Sequence, residues 1–377
     1  MKNFFSNISF ARLGRIILVL FLLFLVTDIV LRATRESFFP FGRFRNSRGR
    51  TDFTEYVLDF LPRRKGPKPR VFLIGDSTLL GLNRRYDETF AYFLEKGIED
   101  FPALKGAEVI NLAVGAATPA DGYLIAELLR DFEADLAVLV SNHCMYRPGI
   151  ENLVSYPQFF LRQKPEVLED EDVRAIGATW RWPARLEAAF QMYLNKLWFF
   201  YRARNMYKRW WDDAEMSAKT ATTLGIEPAR HNPAPPWRKR MAGDQMTKRR
   251  WGVMVSFTKD DLHSTGPHHR QYRFLRRSAK TLGETKDHAL GYANPVCIDL
   301  LDLVDPSGES SKNVLRVVDG FLKAFREGGI EARDYTHAVT SNEYYADLNH
   351  LLAEGNGEFA GRMIADLRAI FGKKGNK

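Results

Sequence analysis

Three short runs of apolar residues punctuate the first part of the chain: RVFLIG (70–75), AEVINLAV (107–114) and ADLAVLV (134–140). Continuous runs of this length read as strands buried on both faces of a parallel sheet. The segments between them change period. Phe90, Phe93, Leu94 and Ile98 recur at helical spacing and predict a helix over 88–101. Leu124, Ile125, Leu128 and Leu129 do the same over 118–132. Thr118 stands there as the N-cap, Pro119 at the first helical position and Asp121 in the first turn. Strand, helix, strand, helix, strand at this spacing predicts an α/β fold with right-handed crossovers.

The alternation lapses after Asn142. Residues 150–285 show no clear βα repeat, hold all seven tryptophans, and include the helical-looking stretch RLEAAFQMYLNKLWFFYRARNMYKRWW (185–211). They read as a long, mostly helical insertion or cap. The pattern resumes with a helix over SSKNVLRVVDGFLKAF, then GIEARDY, then a last helix from Glu354 to Phe371. That helix carries Phe359, Met363, Ile364, Leu367 and Ile370 on one face.

The amino terminus has a pattern of its own. Ile16 to Leu31 is almost wholly apolar, with Arg12 and Arg15 before it and Arg32 and Arg35 after it. A cleaved signal peptide wants a small-residue site after the run, which TDIVLRATRE does not supply. The run therefore reads as an uncleaved signal anchor, a transmembrane helix. The organisation expected is an anchor over 1–35, a basic Arg/Gly/Pro tether over 36–66, a first core part over 67–149, the insertion over 150–285 and a second core part over 286–377. Positive charge flanks the span on both sides, with six arginines between Arg32 and Arg50. Counted simply, that excess would keep the body cytoplasmic.

Net charge is +9. A local excess of the same size lies within 231–280, which points to an anionic partner such as lipid, acidic glycan or nucleic acid. Cys144 and Cys297 are too few for a disulfide framework or a zinc site. His263, His268 and His269 have no carboxylate or cysteine at ligand spacing and read as loop residues, so no metal and no cofactor is expected. Hydrophobic and charged contents of 45% and 27% are those of a globular protein.

Ligands of open parallel sheets bind beyond the carboxyl ends of the strands. Ser77 follows the first strand, Gly115 the second and Asn142 the third, and the loop before the last helix holds Asp347 and His350. Acyl transfer needs a nucleophile, a base, a group that orients the base, and donors for an oxyanion. Ser77 can attack, His350 can take its proton, and Asp347 can fix the imidazole tautomer. The backbone N–H groups of Ser77 and Gly115 and the Asn142 amide can face the oxyanion, with Asp76 in support. Gly115 suits this role because a side chain there would crowd the approach to its N–H.

The blocks GDSTLLG, NLAVG, SN and DLNHLLAEGN resemble, in order, those of the SGNH/GDSL hydrolase family. The resemblance covers roughly 68–146 and 325–372. It implies a flavodoxin-like three-layer α/β/α fold, serine ester chemistry, and the roles just given for Ser77, Gly115, Asn142, Asp347 and His350. The chain departs from the pattern where Val140-Ser141-Asn142-His143 replaces Gly-x-Asn-Asp and where Thr78 follows the serine. His143 stands as an extra proton carrier or a packed histidine. The family also has anchored members that work with membrane-bound O-acyltransferases on cell-surface polysaccharide. That context implies an acylated carbohydrate substrate, a membrane and such a transferase as partners, and an extracytoplasmic body, against the arginine count. Two other classes compete. One is a catalytically silent module that binds glycan or assembles a membrane complex. The other is a nucleic-acid binder using the basic, aromatic insertion, which ranks last.

Overall fold

The computed structural model describes residues 10–33, 54, 57–59, 61–80, 86–146, 154–179, 182–198, 236–237 and 266–374. Five strands form one wholly parallel sheet: β1 (Arg70–Ile74), β2 (Glu108–Asn111), β3 (Leu136–Ser141), β4 (His288–Ala293) and β5 (Glu331–Asp334). Their order is β2-β1-β3-β4-β5, the order of flavodoxin-like doubly wound sheets.

The helices, in chain order, begin with α1 (Phe10–Ala33), α2 (Ser77–Leu80), α3 (Phe90–Gly97) and α4 (Pro119–Leu128). Next come α5 (Pro157–Leu161), α6 (Pro165–Leu168), α7 (Glu171–Ala178) and α8 (Trp182–Leu197). The chain closes with α9 (Arg270–Thr285), α10 (Ile298–Val304), α11 (Glu309–Glu327) and α12 (Ala353–Lys374). On one face of the sheet α4 packs on α9 and α9 on α11; on the other, α3 packs on α12. Neighbouring residues of β4 show the two faces directly. A side chain at Gly291 would run into the Phe325 ring of α11, while Tyr292 meets Phe359 of α12 with ring centroids 5.3 Å apart. Side chains alternate along a strand, so the body has three layers.

Local chemistry starts the helices where the sequence predicts. The Thr118 hydroxyl accepts from the Asp121 N–H, and the Asp121 carboxylate accepts from the Thr118 N–H, which closes a capping box on α4. At its other end, the buried Lys286 ammonium donates to the Leu129 carbonyl at 2.7 Å, where a cation suits the helix dipole.

Three boundaries differ from the sequence reading. First, α9 lies within the insertion assigned to 150–285, yet Tyr272, Phe274, Leu275, Ala279 and Leu282 are buried in the core. It is the crossover helix from β3 to β4. Arginines on its other face mask that role in sequence, and they are used: Arg270, Arg273 and Arg277 all pair with Asp172 of α7. Second, β4 has no counterpart in that reading, because HALGYA is too short and mixed to stand out. Third, the tether expected over 36–66 is part of the body from Thr54 onward among its described residues. Val57 and Leu61 are buried, and Lys65 pairs with Asp135 at 2.5 Å. His263 lies outside the described residues, as does most of 199–265.

The apolar helix α1 is longer than the Ile16–Leu31 run. Within its Arg12–Ala33 stretch the most apolar 18 residues have a mean hydropathy of 2.6, and none of that window is buried in the protein. At 1.5 Å per residue, 22 residues reach about 33 Å, enough to cross a bilayer core of about 30 Å. A signal sequence meets the same test of length and composition. Asp28 is neutralised within the helix by Arg32, whose Nε donates to it at 2.7 Å.

Candidate active site

Strand register brings the first candidates together. β1 pairs with β2 as Leu73 to Asn111, and with β3 as Ile74 to Leu139. Past the strand ends, Ser77 follows β1, Gly115 follows β2 and Asn142 follows β3. Hydrogen bonds extend the β1–β2 ladder in this direction: Leu112 N–H donates to Leu73 O at 2.8 Å, and Val114 N–H to Gly75 O at 2.9 Å. The three residues therefore share the carboxyl edge of the sheet, Ser77 and Gly115 in the segments that follow β1 and β2 and Asn142 directly after β3.

Gly75 allows the turn at this edge. A Cβ there would collide with Val140 of β3. Asp76, buried, then accepts from the Thr78 N–H at 2.9 Å and the Thr78 hydroxyl at 2.8 Å. This fixes the start of α2 and uses the threonine that departs from the family pattern. Ser77, half-buried, is the first residue of α2.

The partner loop comes from the far end of the chain. Tyr345 and Leu351 pair across it, and the Ala346 N–H donates to His350 O at 2.8 Å. Inside the loop, Asp347 Oδ1 accepts from the Asn349 and His350 N–H groups at 3.1 and 2.8 Å. The His350 ring lies between Asp347 and Ser77. Its Nδ1 is 2.8 Å from both Asp347 oxygens and its Nε2 is 2.9 Å from Ser77 Oγ. Burial acts to raise the Asp347 carboxyl, but the facing imidazole and the two backbone donors outweigh it and hold the group below the ordinary carboxylate range. An ionised Asp347 accepts from Nδ1–H, which leaves the Nε2 lone pair for the Ser77 hydroxyl proton.

Residues that sequence reading missed hold this loop. Asn294, next after β4 in the register row beyond Asn142, donates from Nδ2 to Asn349 O at 3.1 Å. The Cys297 N–H donates to Leu348 O at 2.7 Å. Trp237 of the insertion, buried, donates from its backbone to Tyr345 O at 3.0 Å and from its indole to Asn342 O at 2.9 Å. The Asn294-Pro295 pair is a loop signal in sequence; the other two carry none.

Asn142 is buried, and its Oδ1 accepts from the Cys144 N–H at 3.1 Å. That bond uses the oxygen end of the amide. His143 is buried beside it, with Nε2 3.3 Å from Cys144 Sγ. Burial lowers its pKa to about 4, so the ring is neutral at pH 7.

The loop after β2 packs loosely at 115. A Cβ at Gly115 would make only an ordinary 3.7 Å contact with Leu80. The unusual backbone belongs to the next residue, Ala116, with φ 59°. A left-handed alanine costs about 1 kcal/mol or more and is held by the insertion. Ser155 Oγ donates to Ala116 O at 2.8 Å, the Tyr156 hydroxyl donates to Gly115 O, and the Ser155 and Tyr156 N–H groups donate to Asp121 at 3.1 Å each. Burial raises the Asp121 carboxyl to about 6 against these donors. Among the described residues there is no cluster of three or more metal-ligating side chains. His268 is exposed and His269 buried at the start of α9.

No protein-family model matches the chain, and no curated protein matches it. Among solved structures, the chain is similar to Est24, a carbohydrate acetylesterase from Sinorhizobium meliloti. The match has 10% sequence identity and a TM-score of 0.35, and covers 80% of this chain and 100% of that one. At that score the likeness carries no argument.

Proposed function

We propose that this protein is an SGNH-type serine esterase or O-acyltransferase, anchored by α1, that acts on acyl esters of cell-surface carbohydrate. The observation that carries the reading is the hydrogen-bonded chain from Ser77 Oγ through His350 to Asp347. In this mechanism Ser77 Oγ attacks the ester carbonyl carbon as its proton passes to His350 Nε2. The carbonyl oxygen becomes an oxyanion, which the Ser77 and Gly115 N–H groups and the Asn142 amide receive. Collapse expels the alcohol, which takes the proton from His350, and leaves an acyl group on Ser77. Water or a sugar hydroxyl, deprotonated by His350, then takes the acyl group and frees the serine. Asp347 stabilises the imidazolium in both steps. The carbohydrate class and the extracytoplasmic side follow from the anchored family members that the sequence resembles, with a membrane-bound O-acyltransferase as the partner to seek.

The test compares the full chain in detergent with Ser77→Ala and His350→Ala on an activated acetyl ester. Turnover should fall by about 10³-fold or more in each variant. Turnover unchanged in both variants would remove the serine mechanism. A folded wild type with no turnover would leave the silent binding module in its place.

A further inference from the structure

Helix α8 carries a feature that the ester chemistry does not use. Trp182, Leu186, Phe190, Tyr193 and Leu197 are 57–71% exposed. They recur at helical spacing, within an arc of about 80° at 100° per residue. Gln191 lies away from that arc, about 140° from its centre, and donates to Glu187 on the flank between at 3.2 Å. The helix is held to the body: α8 packs on α5, and Arg185 donates to Gly177 O. The apolar stripe is left facing outward.

The carboxyl end of α8 lies against α1. Arg32 of α1 donates to Leu197 O at 3.3 Å. Phe24 of α1 meets Trp198 edge to face, with centroids 5.0 Å apart. Residues 24 to 32 span about 12 Å of helix axis, so the carboxyl end of α8 runs beside the last two turns of the apolar helix. The α1 side chains there are themselves exposed, Phe24 by 48% and Val26 by 57%. The last residue of the stripe, Leu197, thus stands beside an exposed part of the apolar helix.

We propose that α8 is a second membrane element, an in-plane helix whose Trp182–Leu197 stripe sits at the headgroup–acyl boundary of the bilayer that α1 crosses. An amphipathic helix of this kind buries its apolar face about 5–10 Å into the boundary. Trp182 and Tyr193 have the amphipathic rings favoured at that depth. With α1 across the membrane and α8 along it, the body is attached at two non-parallel elements, so its tilt and rotation over the surface are fixed. The inference rests on α1 being an anchor, and its test reads the anchor separately.

The full chain is reconstituted in phosphatidylcholine–phosphatidylglycerol vesicles with a nitroxide at Phe190→Cys, Gln191→Cys or Leu20→Cys in turn. The unsubstituted chain, labelled in parallel, gives the signal of the native thiols for subtraction. Collisions with oxygen and with a water-soluble nickel chelate are compared at each site. Phe190 and Leu20 should both favour oxygen, Leu20 more strongly, and Gln191 should favour nickel. Leu20 in lipid with Phe190 as open to nickel as Gln191 overturns the inference and leaves the anchor. Leu20 in lipid with Phe190 shielded from both reagents also overturns it, since protein then covers the stripe. Nickel access at Leu20 overturns the anchor reading itself.

Discussion

Helices α8 and α9 have the same length, sixteen residues, and both are amphipathic. They finish in opposite surroundings. In α9 the apolar side covers the sheet, with Leu275 1% exposed and Leu282 fully buried. Its arginines reach across to Asp172 of α7. In α8 the apolar side faces away from the body, with Leu186 and Phe190 each 59% exposed. The pair teaches that amphipathic spacing states only that a helix has a face to cover. What covers it is decided by elements elsewhere in the chain: α4, β3 and α11 for α9, and, by our proposal, the lipid beside α1 for α8.

Substitutions can break or sharpen this contrast. The largest expected effect is on α9, where Leu275→Ala should cost about 2–5 kcal/mol in chemical denaturation. A loss under about 1 kcal/mol would mean that α9 is not the crossover helix of the core.

Burial acts on charge as it acts on carbon, and the sheet end gives the second test. His143 has a folded pKa of about 4 against an ordinary 6.5. The unfolded chain binds the extra proton between these values, so this group's contribution to stability is complete above about pH 6.5 and is lost as pH falls toward 4, by roughly 3 kcal/mol. Asp121, raised to about 6, acts in the opposite sense over the same window. The wild type therefore hides both contributions. Relative to it, His143→Gln should gain roughly 3 kcal/mol between pH 6.5 and pH 4. Equal pH slopes in variant and wild type would contradict a buried, neutral His143.

The smallest effect is on α8. Leu186→Ala should change stability in detergent by less than about 0.5 kcal/mol. A cost near that of Leu275→Ala would mean that protein packs on the stripe.

Part of this was legible in sequence for a definite reason. β1 and β3 are buried on both faces, so their apolar runs are unbroken, and α4 announces its start through Thr118, Pro119 and Asp121. The residues near the sheet edge were legible because each follows such a run. What stayed hidden depends on distance along the chain. β4 hides because Gly291 must be small beneath Phe325, which breaks the apolar run. α9 hides because its arginines answer Asp172 about a hundred residues earlier. The same holds for Asn294 and Trp237 behind the His350 loop, and for the brace that Ser155 and Tyr156 place on the strained Ala116 turn.

The central claim is that His350 makes the Ser77 oxygen a nucleophile. The most direct measurement treats the full chain with a fluorophosphonate and locates the adduct by peptide mass spectrometry. Ser77 Oγ should displace fluoride and carry the only stoichiometric adduct, and His350→Ala should abolish it. A folded wild type that stays unlabelled, or an adduct on another residue that persists in Ser77→Ala, would contradict the account.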